Sequence, residues 1–354
     1  MRHFPLTLLL AGSALGTGCS GGDKGSESKA PPVLLASSPT TGTAGTTVSL
    51  AGEHFGDEQG GSGLVRFGGV DAAIQSWSDT SLVATVPDGA FPGSRDVLVV
   101  TSVGSSNSLA FSVVLPPAIY VNDDTAPATE PNVIEAFAVS ATGVATAIGS
   151  PLVQGVAGPG YGGLDGGTLA VHVPTRRVLT SAFGSLTSWN IDPATGALTS
   201  AGTLALGGNY LYGVLMSADG ARAYVADFDA DQLVGVSIAA NGALSELPGS
   251  PYASADGTAR IAFSMDETYL YASSESISVA SLRGYAIEAD GSLTELAGSP
   301  YDQANRTYTF ERAPDADRFY LGNDTYISAY EPNELIISVQ AGAPWKTAKD
   351  FIEA

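Results

Sequence analysis

The side chains from which this chain could build chemistry are few: three histidines, one cysteine and one run of alternate aspartates. His3 lies in an apolar leader and His54 in the first third of the chain. Only His172 closes an apolar run deep in the later repeats, where an imidazole could approach a central channel and act as general base. A tolerated polar residue at a turn is the competing reading. Spacing names no Ser or Asp partner for it, so a nucleophilic triad is not argued. The stretch "DFDADQ" sets Asp227, Asp229 and Asp231 at alternate positions. A curled loop could converge such carboxylates on Ca²⁺, which favours hard oxygen ligands. It is not an EF-hand, because Gln232 stands where Gly is needed and Ile238 where the bidentate Glu belongs; a solvated acidic turn is the bland alternative. No other cofactor is implied. Two motif matches are accidents of loops: "GCSGG" (18–22) has no strand-turn-helix context, and no helix follows "GPGYGG" (158–163) to receive a phosphate.

Those residues sit in a chain of 354 with formal net charge −21, 43 Gly and 20 Pro. A surface so acidic repels a polyanion, which excludes nucleic acid as a partner. Short runs alternate apolar and polar residues between Gly, Pro and Asp turn signals, and helical periodicity is scarce. That pattern reads as all-β.

The first nineteen residues, "MRHFPLTLLLAGSALGTGC", have a basic start, an apolar core too short to span a bilayer, and small residues before Cys19. This resembles a bacterial lipoprotein signal, which implies cleavage before Cys19, acylation of that residue, and anchorage of the exported protein to a membrane of the cell envelope. Leu15 lies four residues before Cys19, one more than the usual spacing. An ordinary secretory signal with an incidental cysteine is the alternative. Residues 20–32 are a flexible linker. With one cysteine, no internal disulfide can form.

Residues 33–115 contain about six alternating runs (46–50, 64–67, 81–86, 96–100 and 108–113 among them), enough for a small sandwich. "SPTTGTAGTTVSLAGEHFG", "VRFGGVDAAIQSWSDTSLVATVP" and "SNSLAFSVV" resemble the TIG domain, an immunoglobulin-like module. The resemblance implies a spacer or adhesion module, with Trp77 in its core.

From residue 118 to 354 one unit recurs. "GALSELPGSPY" at 242–252 returns as "GSLTELAGSPY" at 291–301, and the glycines Gly143, Gly196, Gly242 and Gly291 are spaced 53, 46 and 49 apart. Four apolar runs per unit at that period are the signature of a β-propeller. Five units start near Ile119, Leu169, Leu211, Arg260 and Thr307. The first lacks its inner run, and residues 350–354 of "KTAKDFIEA" resemble an inner run without a blade. A ring of five blades closed by that C-terminal strand is expected; a truncated longer ring is the rival. "YVAD", "YVND" and "GxLxxxxGSPY" resemble the propeller lactonases related to 6-phosphogluconolactonase, and the YVTN-type surface repeats.

In a propeller, second-to-third turns and fourth-to-first connections emerge on one face. That face would gather Asn122, Asp123, Asp227, Asp229, Glu275, Asn323 and Asp324, with Arg260, Arg306, Tyr252 and Tyr301. Amides, carboxylates and aromatics around a channel suit a polar ligand such as a carbohydrate, a cation or a protein partner. Scattered arginines suit a phosphorylated substrate poorly. Two functions are therefore carried forward. The first is a lipid-anchored envelope protein that presents a propeller for binding. The second, implied by the lactonase resemblance, is a hydrolase of an exported lactone or sugar ester.

Overall fold

The computed structural model describes residues 30–123, 132–154, 169–207, 210–276, 281–302, 309–316, 318–322 and 327–330. Every regular element among them is a β-strand. None is a helix long and apolar enough to cross a membrane.

The N-terminal strands form two sheets. One runs in the order Val33–Ser38, Thr47–Glu53, Ser81–Thr85, Ala73–Trp77; the other in the order Thr41–Gly42, Leu109–Val113, Gly93–Thr101, Leu64–Phe67, Val70–Asp71. In Thr47–Glu53 burial alternates strictly, as a sheet with one wet face requires. Val48 and Leu50 thereby meet Phe67, Val97, Val99 and Phe111 in one apolar core. Trp77 packs on that core while its Nε1 donates to the carbonyls of Phe55 and Gly56.

Five antiparallel sheets follow, whose main strands pair in chain order, while the short Leu152–Val153, Tyr252–Ala253 and Tyr301–Asp302 pair back onto Val133–Val139, Gln232–Ile238 and Ser281–Ile287. The first contains Ala118–Asp123, Val133–Val139 and Ala145–Ala147; the second Leu169–His172, Arg177–Ala182, Ser185–Ile191 and Leu198–Ala205. The third contains Leu211–Met216, Arg222–Asp227, Gln232–Ile238 and Leu244–Glu246; the fourth Thr258–Phe263, Tyr269–Ser274, Ser281–Ile287 and Leu293–Glu295. Thr309–Arg312, Phe319–Gly322 and Ile327–Tyr330 make the fifth. Consecutive sheets stack face to face over four apolar layers, with the first strands of the second to fifth sheets side by side. The strand expected to close a five-membered ring, residues 350–354, lies outside the described residues, as does Cys19.

The repeated peptide has a structural cause. Gly242 and Gly291 hold left-handed backbone (φ 90° and 87°) in the turn between third and fourth strands, a conformation that favours glycine. Space is short as well: a Cβ on Gly242 would stand 2.5 Å from the Ala201 Cβ of the preceding sheet and 2.0 Å from the Arg177 guanidinium. The "GSP" serines also recur in one role. Ser250 Oγ accepts from Gly235 N at 3.1 Å and Ser299 Oγ from Gly284 N at 3.4 Å. Each hydrogen bond ties the return loop to its own third strand.

Candidate ligand-binding face

The sheets have two ends. One bears the first-to-second and third-to-fourth turns, the other the second-to-third turns. At the second end, the seam between third and fourth sheets gathers the most chemistry. Arg260 Nη2 lies 3.1 Å from Glu275 Oε1, their side chains 25% and 19% exposed. The guanidinium also stands over the Tyr212 ring, 5.8 Å from its centroid, and that ring meets Phe228 edge-on at 5.2 Å. Two coinciding bulges bring these groups together. The register slips between Tyr212 and Val214 in the third sheet and between Thr258 and Arg260 in the fourth. A bulge bends its strand and re-aims the neighbouring side chain. Here it does so on the first strands of adjacent sheets.

Asp227 ends the adjoining strand and is fully buried. Its Oδ2 accepts from Gln232 Nε2 at 2.9 Å. Burial pushes its pKa up to about 6, and the neighbouring Asp229 carboxylate adds to the rise. Asp229 accepts from Tyr210 N at 3.1 Å, and Asp231, in left-handed backbone (φ 55°), accepts from Gly257 N at 2.8 Å. The three aspartates hold three different groups, with Asp227 and Asp229 side by side, and among the described residues no three His, Cys, Asp or Glu stand together as metal ligands. Each carboxylate of the run weighed as a Ca²⁺ site has a protein partner of its own: Gln232 for Asp227, Tyr210 N for Asp229 and Gly257 N for Asp231.

In the first sheet Asn122 bridges to the second, donating from Nδ2 to the Ser181 carbonyl at 3.0 Å and accepting from Gln154 Nε2. Asp123 ends the same strand. Asn323, Asp324 and Arg306 lie outside the described residues. Tyr252, expected at the mouth, is instead buried between sheets, its hydroxyl donating to the Pro248 carbonyl at 2.6 Å.

His172 stands at the other end, closing the first strand of its sheet where the turn to the second begins. Its Nε2 lies 2.9 Å from the Ala218 carbonyl of the third sheet and its Nδ1 2.7 Å from Thr175 Oγ1. A carbonyl only accepts, so Nε2 carries the proton and Nδ1 accepts from the threonine. Both nitrogens are engaged in joining two turns, and the imidazole is a staple away from the Arg260–Glu275 seam. The structure thus does not bring the imidazole weighed as a general base to the Arg260–Glu275 seam.

Sequence reasoning missed Tyr212, Phe228 and three buried polar groups. Gln154 Oε1, Ser185 Oγ and Ser273 Oγ have no hydrogen-bond partner among the described residues. The signal for two of them is present in the chain: "VLTSAFGSLTSW" and "YLYASS" place hydroxyls where alternation calls for apolar residues.

Residues 32–113 match the model of the IPT/TIG domain family. The N-terminal sandwich is a TIG domain. Over 71 residues the chain is 39% identical to cyclomaltodextrin glucanotransferase of Bacillus sp. (strain 1-1), a match covering 20% of this chain and spanning about a tenth of that enzyme's length (10%). Among solved structures, the periplasmic gluconolactonase of Pseudomonas aeruginosa is 15% identical, with TM-score 0.50 over 69% of this chain and 76% of its own. A Lactobacillus plantarum protein is 18% identical, with TM-score 0.48 over 70% of this chain and 77% of its own. At such identities the likeness to the gluconolactonase is one of fold.

Proposed function

We propose that this protein is exported, anchored through a lipid on Cys19, and binds a neutral polar ligand, a carbohydrate by preference, at the end of the sheet stack carrying Arg260, Glu275 and Tyr212. In this reading the stack is a five-bladed propeller closed by residues 350–354. The Arg260–Glu275 pair carries the proposal. An arginine and a glutamate side by side offer donors and acceptors to adjacent hydroxyls, while their charges cancel locally. An anionic ligand would meet the Asp229 and Asp231 carboxylates at the same end of the stack and be repelled. The ring of Tyr212 and its neighbour Phe228 supply the apolar surface a sugar's C–H face needs. The matched glucanotransferase, named for a glucan substrate, agrees with that class.

A lactonase-like hydrolase is the second reading, favoured by the fold likeness to a gluconolactonase. It is weakened by the position of His172, the imidazole first considered as its base.

Titration calorimetry against neutral mono- and oligosaccharides, aldonolactones and Ca²⁺ tests both. Saccharide binding is expected, and Arg260→Met combined with Glu275→Gln should weaken it at least about tenfold, roughly 1.4 kcal/mol, while leaving the melt unchanged. The double change avoids stranding one half-buried charge. Binding that survives the double variant, or turnover of a lactone above its spontaneous rate, overturns the proposal. Mass spectrometry of the membrane fraction tests the anchor: a mature chain beginning at any residue other than a lipidated Cys19 refutes it.

A further inference from the structure

The TIG domain and the first two sheets meet at a built contact. Arg176, in the turn before Arg177–Ala182, extends its guanidinium over the Phe91 ring of the TIG domain, 4.5 Å from the centroid. Its Nη1 also donates to the Asp88 carbonyl. Both partners are held in place. Arg95 donates from Nε to the Phe91 carbonyl and from Nη2 to the Pro92 carbonyl, each at 2.7 Å, and Ala90 anchors the same loop in the TIG core. On the other side, Arg176 has left-handed backbone (φ 53°), and its carbonyl accepts from Ile191 N at 2.9 Å. A planar cation over an aromatic face, with one directed hydrogen bond beside it, is a specific geometry and not a chance surface pair.

The junction leaves little room for swinging. Val114 N donates to Gly42 O at 3.0 Å, which fixes the end of the TIG domain, and Val139 N donates to Pro117 O at 2.9 Å, which fixes the start of the first sheet. Only Leu115 and Pro116 lie between. Leu115 packs into the apolar layer of the first two sheets, and Pro116 is stiff by its ring.

We propose that the TIG domain is a fixed pedestal, clasped by Arg176 to the end of the stack bearing the first-to-second turns. The Arg260–Glu275 seam is at the opposite end. The domain therefore orients that end away from itself instead of acting as a loose spacer. This geometry does not depend on what the seam binds.

Amide ¹⁵N relaxation on the whole protein tests it. In the wild type, TIG and sheet amides should report one rotational correlation time. In Arg176→Ala and in Phe91→Ala, the TIG amides should tumble faster than the sheets. Arg176→Lys keeps the charge and loses the planar stack, so it should fall on the same side as alanine. Two correlation times in the wild type overturn the pedestal outright. A single time in all three variants overturns the clasp, since the junction alone would then suffice. If a variant fails to fold, the wild-type spectrum and the lysine variant still decide between these outcomes.

Discussion

Tyr224 donates its phenolic hydrogen to the carbonyl of Gly291, 2.7 Å away, and so joins the second strand of one sheet to the outer turn of the next. Tyr120 makes the same bond to Gly196 at 2.9 Å, from the first sheet to the second. Arg177 fills the intervening position, donating from Nη2 to the Ala240 carbonyl at 3.0 Å beside Gly242. Each repeat's turn is thus the receptor for a side chain of the repeat before it. Removing the hydroxyl in Tyr224→Phe should cost about 1 kcal/mol, read from chemical denaturation. Gly291→Ala should cost more, because it adds left-handed strain to a Cβ 2.9 Å from Arg222 Cδ. A neutral result in both would mean that the turn is not a joint.

Alkaline pH should loosen the same joints. Burial raises the Tyr120 and Tyr224 hydroxyls from their ordinary value of 10.0 to about 12. The folded state therefore holds these protons more tightly than the unfolded chain. Their contribution is complete below about pH 10 and is lost as pH rises through about 12. Unfolding followed by circular dichroism should coincide with phenolate absorbance for these two rings. Phenolate forming at pH 10 with the fold intact would contradict it.

Asp227 gives a second pH window, nearer neutrality. Its folded pKa, about 6, lies above the ordinary 3.8. The stabilising, protonated form is complete below about pH 4, and that contribution is lost as pH rises through 6. Asp227→Asn keeps a partner for Gln232 without the charge. The variant should match the wild type at pH 4 and exceed it at pH 8 by on the order of 1–2 kcal/mol. Paired melts at the two pH values check this; a variant less stable at pH 8 would show that the carboxylate is needed ionised.

How much of this was legible depends on how local the signal is. The expected unit starts fall within two residues of the first described strands of all five sheets, because alternation and the left-handed glycines are written in consecutive residues. What the turns receive was not legible. Arg177 reads as the polar start of a strand, and only the stacked neighbour shows why it is buried. The bulges at Gly213 and Ala259 were hidden too, since a one-residue slip appears only when both strands are aligned. Arg260 was named for the ligand face, but its aromatic neighbour Tyr212 passed as one more apolar residue in a strand. His172 closes its run as expected, but the Ala218 carbonyl that its ring bonds is 46 residues away and could not be read from the run.

That staple has a direct test. His172→Ala deletes the bonds to Ala218 and Thr175 and leaves a turn carbonyl without its donor. The neighbouring Glu267 carboxylate still accepts from Ala218 N, at 2.9 and 3.0 Å from its two oxygens, so the turn should loosen without melting. A loss of about 1–3 kcal/mol is expected, with saccharide affinity unchanged. Lactone turnover that disappears in this variant while the melt stays put would restore the imidazole as a catalytic group.

Ring closure makes the sharpest demand on the chain. In the first sheet, Ile119 and Val121 are 49% and 42% exposed, although they belong to a strand that elsewhere in the stack is the second of four. In the second to fourth sheets the corresponding strand is flanked on both sides, and its side chains are largely buried. An open strand bearing such residues is a template for pairing with other chains. In the proposed ring, residues 350–354 cover this strand and Phe351 packs between sheets. Deleting residues 346–354 should then lower the melting temperature sharply or cause aggregation, because an edge and two apolar faces become exposed together. Replacing Phe351 by Ser should give a smaller loss, on the order of 2–3 kcal/mol for a buried aromatic. If the deletion instead costs well under about 0.5 kcal/mol, as a solvated tail would, these residues do not pair with the Ala118–Asp123 strand and the five sheets do not close as proposed.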